Sequence, residues 1–289
     1  MELPTAPRIA RLAGPPFARE HLALMGDTER IDFGALDVTR YTPALLAEAR
    51  SVWQERFRTE LRSVQIMTRF LEEVVASGDP IDVYANVAAL LNDELRHVGL
   101  MLATCRALGA DALLPTPAVI AEKPEFLKLP MPARALCTAL SMLIVNETLS
   151  VGFIRDLHDR CPEPTLRAVL GATLGDESEH DAFGVAYVAQ SMRRFPPEMR
   201  PQWRAVVAEA LAPHERFVEE TLAALPAERR TLASWPDTER APLGLFSKER
   251  QALVLERTLG EVLRPRLTTL GLGLQSGVGG RVPGDQRGA

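Results

Sequence analysis

The sequence predicts an all-α protein, and three observations carry that expectation. Alanine, leucine, glutamate and arginine are prominent among the 289 residues and aromatics make up only 6%, a composition of good helix formers. Long stretches repeat apolar residues at three- and four-residue intervals, the period of a helix with one buried face. Short alternating runs of β-branched residues, the mark of strands, are scarce.

Residues 1–42 are rich in Pro, Gly and isolated charges, so we expect an arm with at most a short helix. The first long helix starts after Thr42-Pro43, a capping residue followed by proline in the first turn, and stops at Gly78-Asp79-Pro80. A second runs over about 81–109 and closes at a glycine. The next stretch carries five prolines between residues 115 and 132 and cannot be one helix. Further helices are expected over about 132–159, 164–194, 201–224 and 247–270, and the Gly-rich tail 271–289 is expected to be disordered.

Connection lengths order these helices. The first and second, and the third and fourth, are joined by a few residues, so each pair is an antiparallel hairpin. The connector between the hairpins, about 22 residues, reaches up to ~70 Å when extended, against ~45 Å for a 30-residue helix. It can cross the length of a bundle. The expected organisation is therefore an arm (1–42), a four-helix bundle of two hairpins with one long crossover (43–195), two additional C-terminal helices (196–270) and the tail.

A net charge of −5 and a pI near 5.7 offer no basic field for nucleic acid. No stretch reads as approaching the roughly 20 uninterrupted apolar residues of a membrane span, and the start lacks the apolar core of a secretory signal. Cys105, Cys137 and Cys161 show no CxxC spacing and read as unpaired thiols of a reducing compartment. A cytoplasmic location is expected.

The chemistry is in four of the buried helices. Two of the five histidines have Glu at i−3 and Asp at i−4, in DELRH and DESEH. Glu94 with His97, and Glu177 with His180, thus share one face of their helices. The partner helix of each hairpin carries a lone glutamate upstream, Glu60 and Glu147. Glu…Glu-x-x-His given twice is the ligand set of a carboxylate-bridged pair of metal ions in a bundle core. Four carboxylates offset the charge of two divalent ions. Oxygen and imidazole donors without thiolate suit iron or manganese better than zinc or copper. Asp93 and Asp176 fall on the same inner face and are expected to hold the free N–H of the ligating imidazoles, each that of the opposite hairpin.

These motifs resemble those of the ferritin-like di-iron carboxylate proteins, which include bacterioferritins, rubrerythrins, ribonucleotide reductase small subunits, desaturases, hydrocarbon monooxygenases and arylamine N-oxygenases. The resemblance covers about residues 45–192. It implies a ferritin-like four-helix bundle holding two iron ions, with Mn/Fe or Mn/Mn as variants, at Glu60, Glu94, His97, Glu147, Glu177 and His180. It implies an O2-dependent oxidase or oxygenase acting on a small organic substrate with an external electron donor. The alternative is a ferroxidase, a peroxide scavenger or another iron-handling protein without an organic substrate; a metal-free polar network is a third reading.

The added arm, crossover and C-terminal helices favour an enzyme with a covered pocket. Met101 and Gly184 stand one turn beyond the ligand histidines, where a radical-generating subunit has tyrosine, and Tyr187 lies a turn further. Thr173 stands where arylamine oxygenases carry an extra histidine. Ser150 is a weak catalytic candidate, a hydroxyl one turn after Glu147, with Val151 beside it. Met101, Gly184 and Val151 are the pocket candidates. Arg96 reads as a solvated charge or a partner of Glu179. His21, His158 and His214 read as surface residues, and the three tryptophans as packing anchors. The two C-terminal helices either cover the bundle or build a homodimer.

Overall fold

The computed structural model describes residues 8–15, 18–116, 119 and 121–273, and the rest of the expected tail lies outside them. Among the described residues the chain is helical, with one isolated antiparallel bridge between Ile9 and Leu113. We number the main helices α1 (Ala18–Met25), α2 (Pro43–Ala76), α3 (Ile81–Ala107), α4 (Met131–Arg160), α5 (Pro164–Ser191), α6 (Arg200–Ala223) and α7 (248–269).

The starts and stops have local causes. Thr42 accepts the amide of Leu45 at 3.3 Å and caps α2, Glu163 accepts that of Leu166 at 2.7 Å and caps α5, and Ser247 does the same for Arg250 in α7. Gly78 and Gly109 end α2 and α3 with φ near +70°, a conformation that glycine adopts without strain. Gly271 closes α7 in the same way, and Leu272 behind it is fully buried. The first residues of the expected tail therefore belong to the fold.

α2 packs along α3 and α4 along α5; across the hairpins, α2 meets the start of α4 and α3 meets α5. The crossover of residues 108–130 is pinned to the N-terminal arm by Ala10 N–H to Ala112 O and Leu114 N–H to Arg8 O, each 2.8 Å. α6 and α7 pack on each other and on α4, which makes them a cover for the second hairpin. α4 is long and apolar enough, by length and composition, to cross a membrane, and 61% of its most apolar window is buried inside the fold. This corrects the expectation that no stretch comes near a membrane span. The apolarity of α4 has a packing cause, because it is covered by α2, α5, α6 and α7.

One feature of α4 had no sequence signal. Residues Ala139–Asn146 wind as a π-helix, directly before Glu147. Ser141 donates to the carbonyls of Cys137 and Thr138 at its entry, loosening the regular bonding. A wide turn takes in an extra residue, so the helix beyond it is rotated by about 100° relative to an unbroken one. Glu147 owes its direction to it.

The core is divided. One apolar cluster holds Met67, Phe70, Leu90, Leu143 and Val188, and another holds Trp53, Phe57, Leu100, Leu157 and Leu166. Along α2, α3 and α5 the switch from one to the other falls at Glu60, at Glu94–His97 and at Glu177–His180. A layer of ionisable side chains separates two hydrocarbon cores.

α7 is tied to α4 by Arg250, which donates to Asp156 through Nε at 2.8 Å and Nη2 at 2.7 Å. Burial works against the Asp156 carboxylate, but bonds from Arg250 and Arg160 outweigh it and hold its pKa below the usual value. A depressed carboxylate pKa stabilises the fold above its unfolded value, near 4, and the contribution is lost as pH falls through the lower folded value. Asp156→Asn is expected to flatten that part of the acid-unfolding profile, measured by circular dichroism between about pH 5 and 2.

Candidate metal centre

The helix period brings each side chain inward. Glu60 comes from α2, Glu94 and His97 from α3, Glu147 from α4, and Glu177 and His180 from α5. Five of these are buried, both histidines fully, and the Glu60 side chain is 12% exposed. Their donor atoms form two overlapping groups within 4.8 Å of one another: Glu60, Glu94 and His97, and Glu94, Glu147, Glu177 and His180.

Two carboxylates span both groups. Glu94 places Oε2 3.8 Å from His97 Nδ1 and Oε1 3.6 Å from His180 Nδ1. Glu177 places Oε1 3.7 Å from His97 Nδ1 and Oε2 3.5 Å from His180 Nδ1. Such distances are long for hydrogen bonds. They are close to the spacing of two atoms that share an ion at about 2.1 Å from each.

The outer nitrogens are occupied. His97 Nε2 lies 3.0 Å from Asp176 and His180 Nε2 lies 3.3 Å from Asp93, so each aspartate serves the histidine of the other hairpin. Arg96 bridges the pair, 2.6 Å from Asp93 and 2.7 Å from Asp176. This corrects the pairing considered with Glu179, which is exposed: two residues from Glu177, it falls on the outer face of α5. A carboxylate only accepts, so in the neutral ring it keeps the proton on Nε2 and leaves the Nδ1 lone pair to face the carboxylates.

The fit to metal rests on unsatisfied atoms. Both oxygens of Glu94, one each of Glu147 and Glu177, and Nδ1 of both histidines are buried without a hydrogen-bond partner. Orphaned buried polar atoms are rare and costly, and here all six converge. They form a donor set for divalent cations.

Without cations Glu94, Glu147 and the two histidines keep protons. Burial first, then the neighbouring glutamates, pushes Glu94 up to about 8, and the same causes raise Glu147 well above the carboxylate range. Burial opposes charging of His180 and Glu177. The bond to Asp93 and the nearby charge of Glu177 nevertheless lift His180 to about 9, and the approach of Glu147 with the charges of His180 and His97 brings Glu177 down to about 2. Despite its burial, bonds from His97 and Arg96 hold the Asp176 carboxyl below its usual range. Asp176→Asn is expected to weaken divalent-metal affinity about 10- to 100-fold at unchanged fold, measured by competition with a chromophoric chelator.

A cavity of about 350 Å³ reaches this layer from the α2, α4 and α5 side, with Glu60, Met101, Ser150, Thr173, Phe153 and Phe246 in its wall. Met101, expected as a pocket residue, is on this wall, and so is Ser150. Val151 and Gly184 are outside this wall. One residue from Ser150, Val151 is turned away by about 100°. At Gly184 a Cβ would come 2.5 Å from Leu143 Cβ, so the absent side chain admits a neighbouring helix and leaves no room for a ligand. Tyr187 donates to Asp79 at 3.1 Å and packs on Phe70 and Phe183 in the apolar cluster.

His21, His158 and His214 are half-buried, Trp53 and Trp203 are buried and Trp235 is half-buried. The three cysteines are free and buried. Sequence reasoning missed Arg56, Gln251 and Phe246 on the cavity wall. Arg56 is detectable in retrospect, one turn before Glu60 on the same face; Phe246 and Gln251 arrive only by the packing of the C-terminal region. Compared with protein-family models, curated proteins and solved structures, the chain matches none of them.

Proposed function

We propose that the chain is a ferritin-like di-metal protein that holds two iron ions, with Mn/Fe or Mn/Mn as variants, and uses O2 to oxidise a small organic substrate with electrons from an external donor. The observation that carries this reading is the convergence of six orphaned donor atoms beside a largely apolar cavity. Glu60, Glu94 and His97 would hold one ion, Glu147, Glu177 and His180 the other, with Glu94 and Glu177 facing both. Reducible ions held there supply the activation of O2.

The rest is done by the protein's own groups. Asp93, Asp176 and Arg96 fix the imidazole rings. Phe153, Phe246 and Met101 give the cavity apolar walls, and Ser150 adds a hydroxyl. A largely apolar cavity beside the centre favours an organic substrate over the ferroxidase alternative.

Elemental analysis joined to O2 uptake by the reduced protein tests the reading. About two irons per chain and uptake that stops when the reductant is spent are expected. Oxidation of many equivalents of added Fe(II) by a shell-sized assembly would replace it with iron storage, and no bound metal would end it.

Because Glu94, Glu147 and the histidines hold protons in the metal-free state, bound ions must displace them. Apparent affinity for Fe(II) or Mn(II) is therefore expected to rise with pH, by about tenfold or more per unit between pH 6 and 8, with proton release seen by an indicator dye.

A further inference from the structure

The cavity wall contains a cation without an ion-pair partner among the described residues, although two carboxylates, Glu55 and Glu60, share that wall. The cation is Arg56, and among the described residues no carboxylate lies within ion-pair distance of its guanidinium. The group is held in place on two sides: it lies over the Trp53 ring, 4.3 Å from the centroid, and Nη2 donates to Gly244 O at 2.7 Å. Trp53 is fixed in turn by its Nε1 bond to Leu243 O at 2.9 Å, and Gly244, with φ of +64°, allows the close approach. Nη1 is buried and bonds nothing.

A rigid guanidinium with an unpartnered buried N–H, in a cavity wall that is mainly apolar but also carries Glu55, Glu60 and Gln251, offers a carboxylate its one cationic partner there. Burial lowers its pKa to about 10, and the charge of Glu60 opposes the shift, so it is a cation at neutral pH. The dimensions agree. Arg56 and Glu60 are four residues apart on α2, an axial rise of ~6 Å, so an acid group held at Arg56 leaves a body of several carbons reaching the centre. A volume of about 350 Å³ takes about a dozen groups of water size. Met101, Phe153, Ile154 and Leu170 give that body apolar walls.

We propose that Arg56 anchors the carboxylate of the substrate, which is a small monocarboxylic acid with an apolar body of about ten heavy atoms. The proposal rests on the di-metal reading for the oxidation of that acid, and not for the binding itself. Arg56 acts here as a binding residue, remote from the reacting carbon.

Octanoate and octan-1-ol, alike in shape and different in charge, are suitable probes, titrated calorimetrically into the full chain both metal-free and iron-loaded. Wild type is expected to prefer octanoate at least tenfold in both forms, and Arg56→Gln to lose that preference while binding octanol as before, at unchanged metal content. Preference for octanoate confined to the iron-loaded form would mean that the acid binds the metal, and would overturn the anchor. So would equal binding of the two probes by wild type, a measurement that needs no variant to fold. Arg56→Lys, which keeps charge without the planar fork, is expected to retain part of the preference. Failure of iron loading with an intact, Arg56-dependent octanoate preference would sink the di-metal reading alone.

Discussion

On the proposed di-metal reading, Glu94→Gln is expected to leave the chain without bound metal and the metal-free fold as stable as before. Glu94 offers one oxygen to each half of the centre, so its loss removes a ligand from both. In the metal-free protein burial raises its pKa to about 8, so at pH 7 the carboxyl is mostly protonated and glutamine imitates it. Elemental analysis should give less than about 0.2 ion per chain, with a metal-free Tm within about 2 °C of wild type. Glu177→Gln makes the contrast. Held down to about 2 by its neighbours, Glu177 is the charged partner of His180, and its substitution should also remove metal while costing the metal-free fold roughly 2–4 kcal/mol. Equal Tm changes in the two variants would refute this division of protons.

Arg250→Ala is expected to be strongly destabilising although it lies outside the centre. Arg250 is 8% exposed and, besides its two bonds to Asp156, donates from Nη1 to Leu232 O at 2.9 Å and Trp235 O at 2.8 Å. It thereby joins α7, α4 and the segment between α6 and α7. Truncation leaves Asp156 buried with Arg160 as its remaining cation, and breaking a buried pair from one side costs about 3–5 kcal/mol. For a chain of this size that lowers Tm by roughly 5–15 °C. Arg250→Lys should recover less than half of the loss, since a point donor cannot make the two-pronged bond and reach both carbonyls. A Tm shift under about 2 °C for Arg250→Ala would show that α7 is held by apolar contacts alone.

Local pattern carried much of this protein. Helices α2 and α3 begin and end within a few residues of the positions marked by Thr42-Pro43, Gly78 and Gly109, because caps, prolines and positive-φ glycines act on neighbours only a few residues away. The E-x-x-H spacing likewise put each Glu and His on one helical face. The π-helix before Glu147 was invisible, since ALSMLIVN has no composition that separates a wide turn from a buried α-helix. Gly184 misled for a related reason. A small residue on an inner face marks either a void or a close approach, and only Leu143 against it decides which.

What the sequence determined by itself is the set of donor residues, their faces and the all-helical class, since these arise from periodicity within one helix. What only the tertiary structure decided is which groups meet across helices. Asp176 reaches His97 over 79 residues and Asp93 reaches His180 over 87, Arg96 closes the pair, and Arg56 is left without an ion-pair contact among the described residues. Periodicity fixes direction about one axis; the distance between two axes is set by packing, and bonds, cavities and unpaired charges depend on that distance.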